Sequence, residues 1–239
     1  MQLADKLLST ATGEDAGAPA PVAALDEVAS KRLLAHYGIP VPASVVLDSA
    51  DGIADKLSAL SPPLAVKVIA PGVLHKSDVG GVVLNLPDAA AVRNAMRDMR
   101  ASSALAQHGI TGFLVETMAP RGHEIVVGGT IDASFGPVVM IGLGGIFVEV
   151  FADVAFRVCP ITRRDAHDMI ASLKAAPLLA GARGGIVAAM EPLVDVLLRV
   201  GGEGGLLVRE AHRLREIDIN PLIVSSHGAI AVDARVILA

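Results

Sequence analysis

A lysine in the middle of an apolar strand constrains this chain more than any other feature. From Leu64 to Ala70 the sequence is apolar except for Lys67, which lies between Val66 and Val68. Burying an ammonium there is costly unless an anion meets it. Pro71 and Gly72 then turn the chain. The polar run His75-Lys76-Ser77-Asp78 follows and closes on Gly80 and Gly81. A lysine for a phosphate and a histidine eight residues on that can accept a phosphoryl group make a coherent chemical pair. On this stretch alone the alternative is a snorkelling strand lysine beside a surface histidine.

The composition is that of a folded globular protein: 239 residues, 52% hydrophobic and 19% charged, enough for one large domain or two small ones. With no Trp, one Tyr and five Phe, the core must be aliphatic. The single cysteine, Cys159, excludes an intrachain disulfide and fits a reducing compartment. Its apolar neighbours make it an inert core residue. A net charge of −5 without a basic block, and few aromatics to stack on bases, argue against nucleic acid as the main partner. No apolar run approaches the roughly twenty residues that span a bilayer, and no signal peptide is visible. A soluble cytoplasmic protein without a membrane partner is expected.

Residues 1–22, rich in Gly, Pro and Ala, read as a flexible tail. Asp26 is placed to cap a helix ending at Gly38, and Ser49 to cap one through Leu60. Strands are expected at 44–47, 64–70, 81–86, 112–118, 123–130 and 137–143, and within 147–158 with a turn near Asp153. Helices are expected at 88–99, from Thr162 or Asp165 to Ala175, and at 190–200. A final hairpin joins 215–224 to 229–238. Alternation in the first half and long hairpins in the second predict an α+β fold of two lobes, joined near Glu116–Pro120. The expected lobes are 23–118 and 119–239.

Several separated features can converge on a nucleotide. Glu116 ends an apolar strand and Glu124 opens the next. A carboxylate at a lobe junction can accept from a ribose hydroxyl or an adenine amino group, and the backbone from Glu116 to Met118 can present amides and carbonyls to the adenine edge. Glu124 reads equally well as an exposed strand residue. In the segment Gly142–Glu149, Gly144 and Gly145 let backbone amides approach phosphate oxygens, although the motif matches neither a P-loop nor a dinucleotide fingerprint. A tight bend between strands is the competing reading.

The run Glu216-Ile-Asp-Ile-Asn220 is a stronger signal. Period-2 geometry puts Glu216, Asp218 and Asn220 on one strand face, an oxygen set suited to Mg²⁺. With the turn near Ser226 and His227, Asn220 falls directly opposite Asp233, so the two can share one cation. A solvated polar hairpin face is the alternative.

Four motifs together carry a resemblance: Lys31–Pro42, Leu74–Gly81, Gly136–Glu149 and Glu216–Pro221. From about residue 24 onward the chain resembles the ATP-grasp domain of acyl-CoA synthetases that form ADP, and is similar to their β subunits. It is more distantly similar to succinyl-CoA synthetase β subunits. The resemblance implies an ATP-grasp fold with the nucleotide between two lobes, and ATP/ADP and Mg²⁺ as cofactors. It implies that acyl-CoA, ADP and phosphate interconvert with carboxylic acid, CoA and ATP through phosphohistidine. It implies His75 as the phosphorylated residue, and Lys67 as the contact to nucleotide phosphates. Glu116 and Glu124 then lie around the nucleotide, and Asn220 and Asp233, with Asp218 beside them, hold Mg²⁺. Because CoA-binding and ligase domains are absent from these residues, it also implies a CoA-binding α subunit, in a heterotetramer, that holds the acid and CoA. Two other readings keep the nucleotide: a carboxylate–amine ligase working through an acyl phosphate, and a non-catalytic binding module.

Overall fold

Carboxylates start two of the helices in the first half of the chain. In the computed structural model, which describes residues 24–70, 76–144 and 152–239, the short strand β1 (Ala24–Leu25) runs into α1 (Glu27–His36). Asp26 caps α1 by accepting the Ala29 N–H at 2.7 Å. Gly38, at a φ of +75°, takes the chain out of that helix. Next come β2 (Ser44–Leu47), α2 (Ile53–Lys56), β3 (Leu64–Ile69), a 3₁₀ turn at Lys76–Val79 and β4 (Val82–Leu86). They are followed by α3 (Ala89–Ala101), which Asp88 caps through the Ala91 N–H at 2.8 Å, then α4 (Ser103–Ala106) and β5 (Gly112–Thr117). The helix expected from Ser49 to Leu60 shrinks to the single turn of α2. The Ser49 hydroxyl accepts the Asp51 N–H, closing a local turn, and Gly52 at a φ of +61° opens α2 instead.

After Pro120 come β6 (His123–Asp132), β7 (Gly136–Leu143), β8 (Val154–Val158), α5 (Arg163–Ser172) and α6 (Ala176–Leu179). Thr162 and Asp165 form a capping box on α5. Then follow α7 (Met190–Gly201), α8 (Leu206–Arg209), β9 (Leu214–Val224), β10 (Ala229–Ala231) and β11 (Ala234–Leu238). No described helix is long and apolar enough to cross a membrane.

The chain divides into two units. The smaller, Pro42–Ala119, holds an antiparallel sheet in the order β2-β5-β3-β4. Leu64, Val66, Val68, Phe113 and Val115 face Val92, Met96 and Met99 of α3 in its core. The larger unit takes the segment up to Val41 together with Pro120–Ala239. Its sheet runs β1-β11-β9-β6-β7-β8, with β10 beside β9. Ile125, Val127, Ile141, Ile217 and Ile219 on one face of it share a core with residues of α5, α7 and α8.

The expected first lobe of residues 23–118 is therefore corrected at its start: the described residues from 24 to 41 belong with the larger unit. β1 pairs with β11, Ala24 against Ile237, and Leu33, Leu34 and Ile39 join the core of the large sheet. Tyr37 adds a 2.5 Å hydrogen bond from its hydroxyl to Glu210. These partners lie some two hundred residues downstream, beyond what local periodicity records. The expected tail, residues 1–22, lies outside the described residues.

Cys159 follows β8 and is buried in this core, where burial pushes its thiol up to about 11. A raised thiol value means almost no thiolate near neutrality. The native protein is therefore expected to resist iodoacetamide at pH 8 and to react within minutes in denaturant. Mass-spectrometric labelling checks this, and rapid alkylation of the native chain would contradict it.

Candidate functional site

In the smaller unit the register of β3 and β5 brings the strand lysine to its anion. Ala65 pairs with Glu116 and Lys67 with Leu114, so Lys67 and Glu116 are diagonal neighbours on one sheet face. Lys67 Nζ lies 3.2 Å from a Glu116 carboxylate oxygen, with the two side chains only 9% and 3% exposed. Of the two readings of Lys67, snorkelling to solvent is excluded: its ammonium is buried against a carboxylate. Val66 and Val68 point the other way, into the helix-packed core.

Beyond this pair, the expectation of open amides from Glu116 to Met118 needs correction. The Thr117 N–H is donated to the Ala43 carbonyl at 3.0 Å and the Met118 N–H to the Pro63 carbonyl at 2.9 Å. Strand continuation consumes these donors, so neither amide is free for a base edge. The loop that follows β3 returns to it at Gly81, whose carbonyl accepts the Val68 N–H and whose own N–H is donated to the Lys76 carbonyl. A Cβ at Gly81 would stand 2.7 Å from Val68 Cγ1 and 2.9 Å from the Lys76 carbonyl oxygen, which is why glycine sits there. His75 itself lies outside the described residues.

In the larger unit Glu124 is exposed near the start of β6, and Gly144 donates its N–H to the Glu124 carbonyl at 2.7 Å. A Cβ at Gly144 would lie 3.1 Å from that oxygen, so this glycine serves a close strand approach, and its amide is already taken. Gly145 lies outside the described residues. Sequence reading gave Asp153 only as the place of a turn and missed its buried acceptor role. This buried carboxylate accepts the N–H groups of Lys174 and Ala175, each at 2.8 Å, and ties the chain ahead of β8 to the end of α5. Its signal was an acid in an apolar run. The other histidine near this end, His123, sets its Nε2 2.7 Å from the Ile186 carbonyl and thereby holds a loop.

The hairpin has the geometry its spacing requires. Ile219 pairs with Ala234 and Leu222 with Ala231, which puts Asn220 opposite Asp233, and the Asn220 N–H is donated to the Asp233 carbonyl at 3.2 Å. Ile217 and Ile219 are buried, so Glu216, Asp218 and Asn220 share the opposite face. The Asp233 carboxylate accepts the Ala234 N–H at 2.8 Å. The carboxyl of Asp218 is raised above the usual carboxylate range by burial first, then by the negative charges of Glu216 and Asp233, against a smaller opposing effect of Arg235.

This donor set fits Mg²⁺. The cation prefers a few carboxylate and carbonyl oxygens completed by phosphate oxygens and water, and crowded carboxylates are what a divalent charge relieves. Among the described residues no three His, Cys, Asp or Glu side chains converge as a self-sufficient metal cage.

Comparison with known proteins agrees with this geometry. The family model described as an ATP-grasp domain matches residues 19–238. The β subunit of ADP-forming acetate–CoA ligase I from Pyrococcus furiosus is 42% identical over 216 residues, 90% of this chain and 91% of that protein. A structure of the dinucleotide-forming acetyl-coenzyme A synthetase 1 of Candidatus Korarchaeum cryptofilum, with coenzyme A and Ca-AMPCP, superposes at a TM-score of 0.81. It is 38% identical and covers 90% of this chain and 93% of that one. Another structure of that enzyme holds coenzyme A and Mg-AMPPCP, with its phosphohistidine segment pointing towards the nucleotide-binding site. It superposes at 0.76 with 37% identity, over the same shares of both chains. A buried lysine–glutamate pair on one sheet, an oxygen-rich hairpin on the other and likeness along nearly the whole chain lead to one assignment: the protein belongs to the ATP-grasp family, among the β subunits of ADP-forming acetate–CoA ligases.

Proposed function

We propose that the chain is the nucleotide-binding β subunit of an ADP-forming acid–CoA ligase, and that it carries phosphate between nucleotide and partner on His75. The observation that carries this reading is the crowded oxygen face of the β9–β11 hairpin, in a chain that shares its length and sequence with such β subunits. Asn220 and Asp233, with Asp218 beside them, hold Mg²⁺ on the ATP or ADP phosphates, which supplies charge neutralisation there. Lys67 offers its ammonium to nucleotide phosphates. Glu116 and Glu124 accept from the nucleoside. The backbone around Met118 faces the base with carbonyl oxygen, and Gly145 lets the main chain pass close to the phosphates.

Neutral His75 is the nucleophile. Its ring nitrogen forms a bond to the γ-phosphorus as the bond to the β–γ bridging oxygen breaks, and ADP leaves; the ring gives up its N–H proton. A CoA-binding α subunit, assembled with this chain in a heterotetramer, then takes the phosphoryl group and uses it to activate the acid for CoA.

Reconstitution tests this. The purified chain, given ATP, Mg²⁺, acetate and CoA, is expected to form ADP and acetyl-CoA only when the CoA-binding subunit is added. ADP formation by the chain alone with an acid and an amine would overturn the reading in favour of a carboxylate–amine ligase. Nucleotide binding without turnover under any pairing would leave only a binding module.

A further inference from the structure

Arg235 stands on the oxygen face of the hairpin without a structural job. It is paired across the strands with Asp218, and the next pair on that face is Asn220 with Asp233. Its neighbours Ala234 and Val236 are buried against the core, so Arg235 points the other way, with Asp218 and Glu216. It is exposed, and among the described residues no hydrogen bond or ion pair holds its guanidinium.

Three other arginines of the larger unit are spent on the fold. Arg163 bonds Glu191 at 2.5 Å and Asp195 at 2.7 Å, Arg213 bonds Glu210 at 2.6 Å, and Arg199 donates to the Gly38 carbonyl. Arg235 is close enough to Asp218 to favour its ionised form, yet it makes no ion pair with it.

A cation held by Asn220 and Asp233 would neutralise part of the charge on a nucleotide's phosphates, as metals do in phosphoryl-transfer sites. The Arg235 backbone is two residues from Asp233, roughly 7 Å along the strand, which is within the reach of an arginine side chain. The face that would receive those phosphates is otherwise acidic: Glu216, Asp218 and Asp233 all carry carboxylates. A phosphate oxygen left outside the metal needs a donor there. A guanidinium offers a planar fork of N–H groups matched to phosphate.

We infer that Arg235 binds the terminal phosphate of ATP, donating to its non-bridging oxygens while the neighbouring Asn220–Asp233 pair holds the cation. This rests on the nucleotide-binding reading of the hairpin. Arg235 thereby distinguishes triphosphate from diphosphate and sets the geometry of the phosphoryl group that is to be transferred.

Calorimetric titration of the full chain with MgATP and with MgADP tests it, wild type first. Arg235→Gln is expected to weaken MgATP binding about 10- to 100-fold, the range for a hydrogen bond to a charged group, and to leave MgADP within about threefold. Arg235→Lys, which keeps the charge and loses the fork, is expected to fall between, and it carries the comparison if Arg235→Gln fails to fold. Binding of Mn²⁺ alone, followed by electron paramagnetic resonance, is expected to change by less than about threefold in both variants, the residual effect of a neighbouring exposed charge. Equal losses for both nucleotides, no loss for either, or a shift in Mn²⁺ affinity of the same size would each overturn the inference; the last would make Arg235 a mere counter-charge to the acids. Wild-type chain that binds neither nucleotide would overturn the parent reading, and this inference with it.

Discussion

His75→Asn is expected to abolish phosphoenzyme formation while MgATP still binds with an affinity near that of wild type. In the wild-type complex with the CoA-binding subunit, label from γ-labelled ATP should appear on this chain as an acid-labile adduct that survives base, the signature of a nitrogen–phosphorus bond. Asparagine keeps a polar side chain of similar reach but has no nucleophilic ring nitrogen. Loss of a residue that forms a covalent intermediate costs on the order of 10³-fold or more in turnover. The physical case starts from Lys67, which β3 buries eight residues ahead of His75 in the sequence. Among the described residues beyond His75, the chain is anchored back on that strand, where Gly81 and Val68 share a hydrogen bond and Gly81 bonds Lys76 at 2.7 Å. Labelling followed by peptide mapping decides the matter: full phosphorylation of His75→Asn, or label mapped to another residue of the chain, would remove His75 from the mechanism.

Lys67→Met should damage both stability and nucleotide binding, and a second substitution should separate the two. The Lys67 ammonium and the Glu116 carboxylate are 3.2 Å apart and nearly sealed from water. Deleting one charge of such a pair costs about 3–5 kcal/mol, because its partner keeps the desolvation penalty and loses the attraction. Replacing both charges is far less damaging. The double variant Lys67→Met/Glu116→Gln is therefore expected to recover most of the lost melting temperature. It should not recover MgATP affinity, because the ammonium proposed to meet the phosphates is still missing. Thermal melts and calorimetry on the three proteins check this. Recovery of binding together with stability would make Lys67 purely structural, and an unchanged melting temperature in the single variant would contradict the energetic argument.

The hairpin and the strand lysine were legible in the sequence because they rest on short-range rules. Strand alternation places Glu216, Asp218 and Asn220 on one face whatever the rest of the protein does, and a short turn leaves little freedom in register. Asn220 accordingly lies across from Asp233. Other features were not legible. Ser49 looked like a helix cap, but its hydroxyl bonds the nearby Asp51 N–H and the expected helix contracts to Ile53–Lys56. The amides at Thr117 and Met118 looked available, but are donated to Ala43 and Pro63. In each case the outcome turned on which of two nearby partners a polar group chose, a balance of one hydrogen bond against another.

The residue order alone sufficed for the alternation of elements, the buried charge awaiting an anion, the paired oxygens of the last hairpin and the family to which these belong. Each follows from side-chain period, turn chemistry or a local motif. Three-dimensional packing settled the rest. Glu116 became the carboxylate facing Lys67 because β3 and β5, some fifty residues apart, pair in one register. The segment carrying α1 joined the larger unit because Ala24 and Leu25 found β11 at the far end of the chain. Arg235 was left exposed beside the acids because the alternation that buries Ala234 and Val236 turns it outward. Contacts of that kind depend on which distant apolar faces bury one another, and burial is a property of the folded whole that no window of neighbouring residues contains.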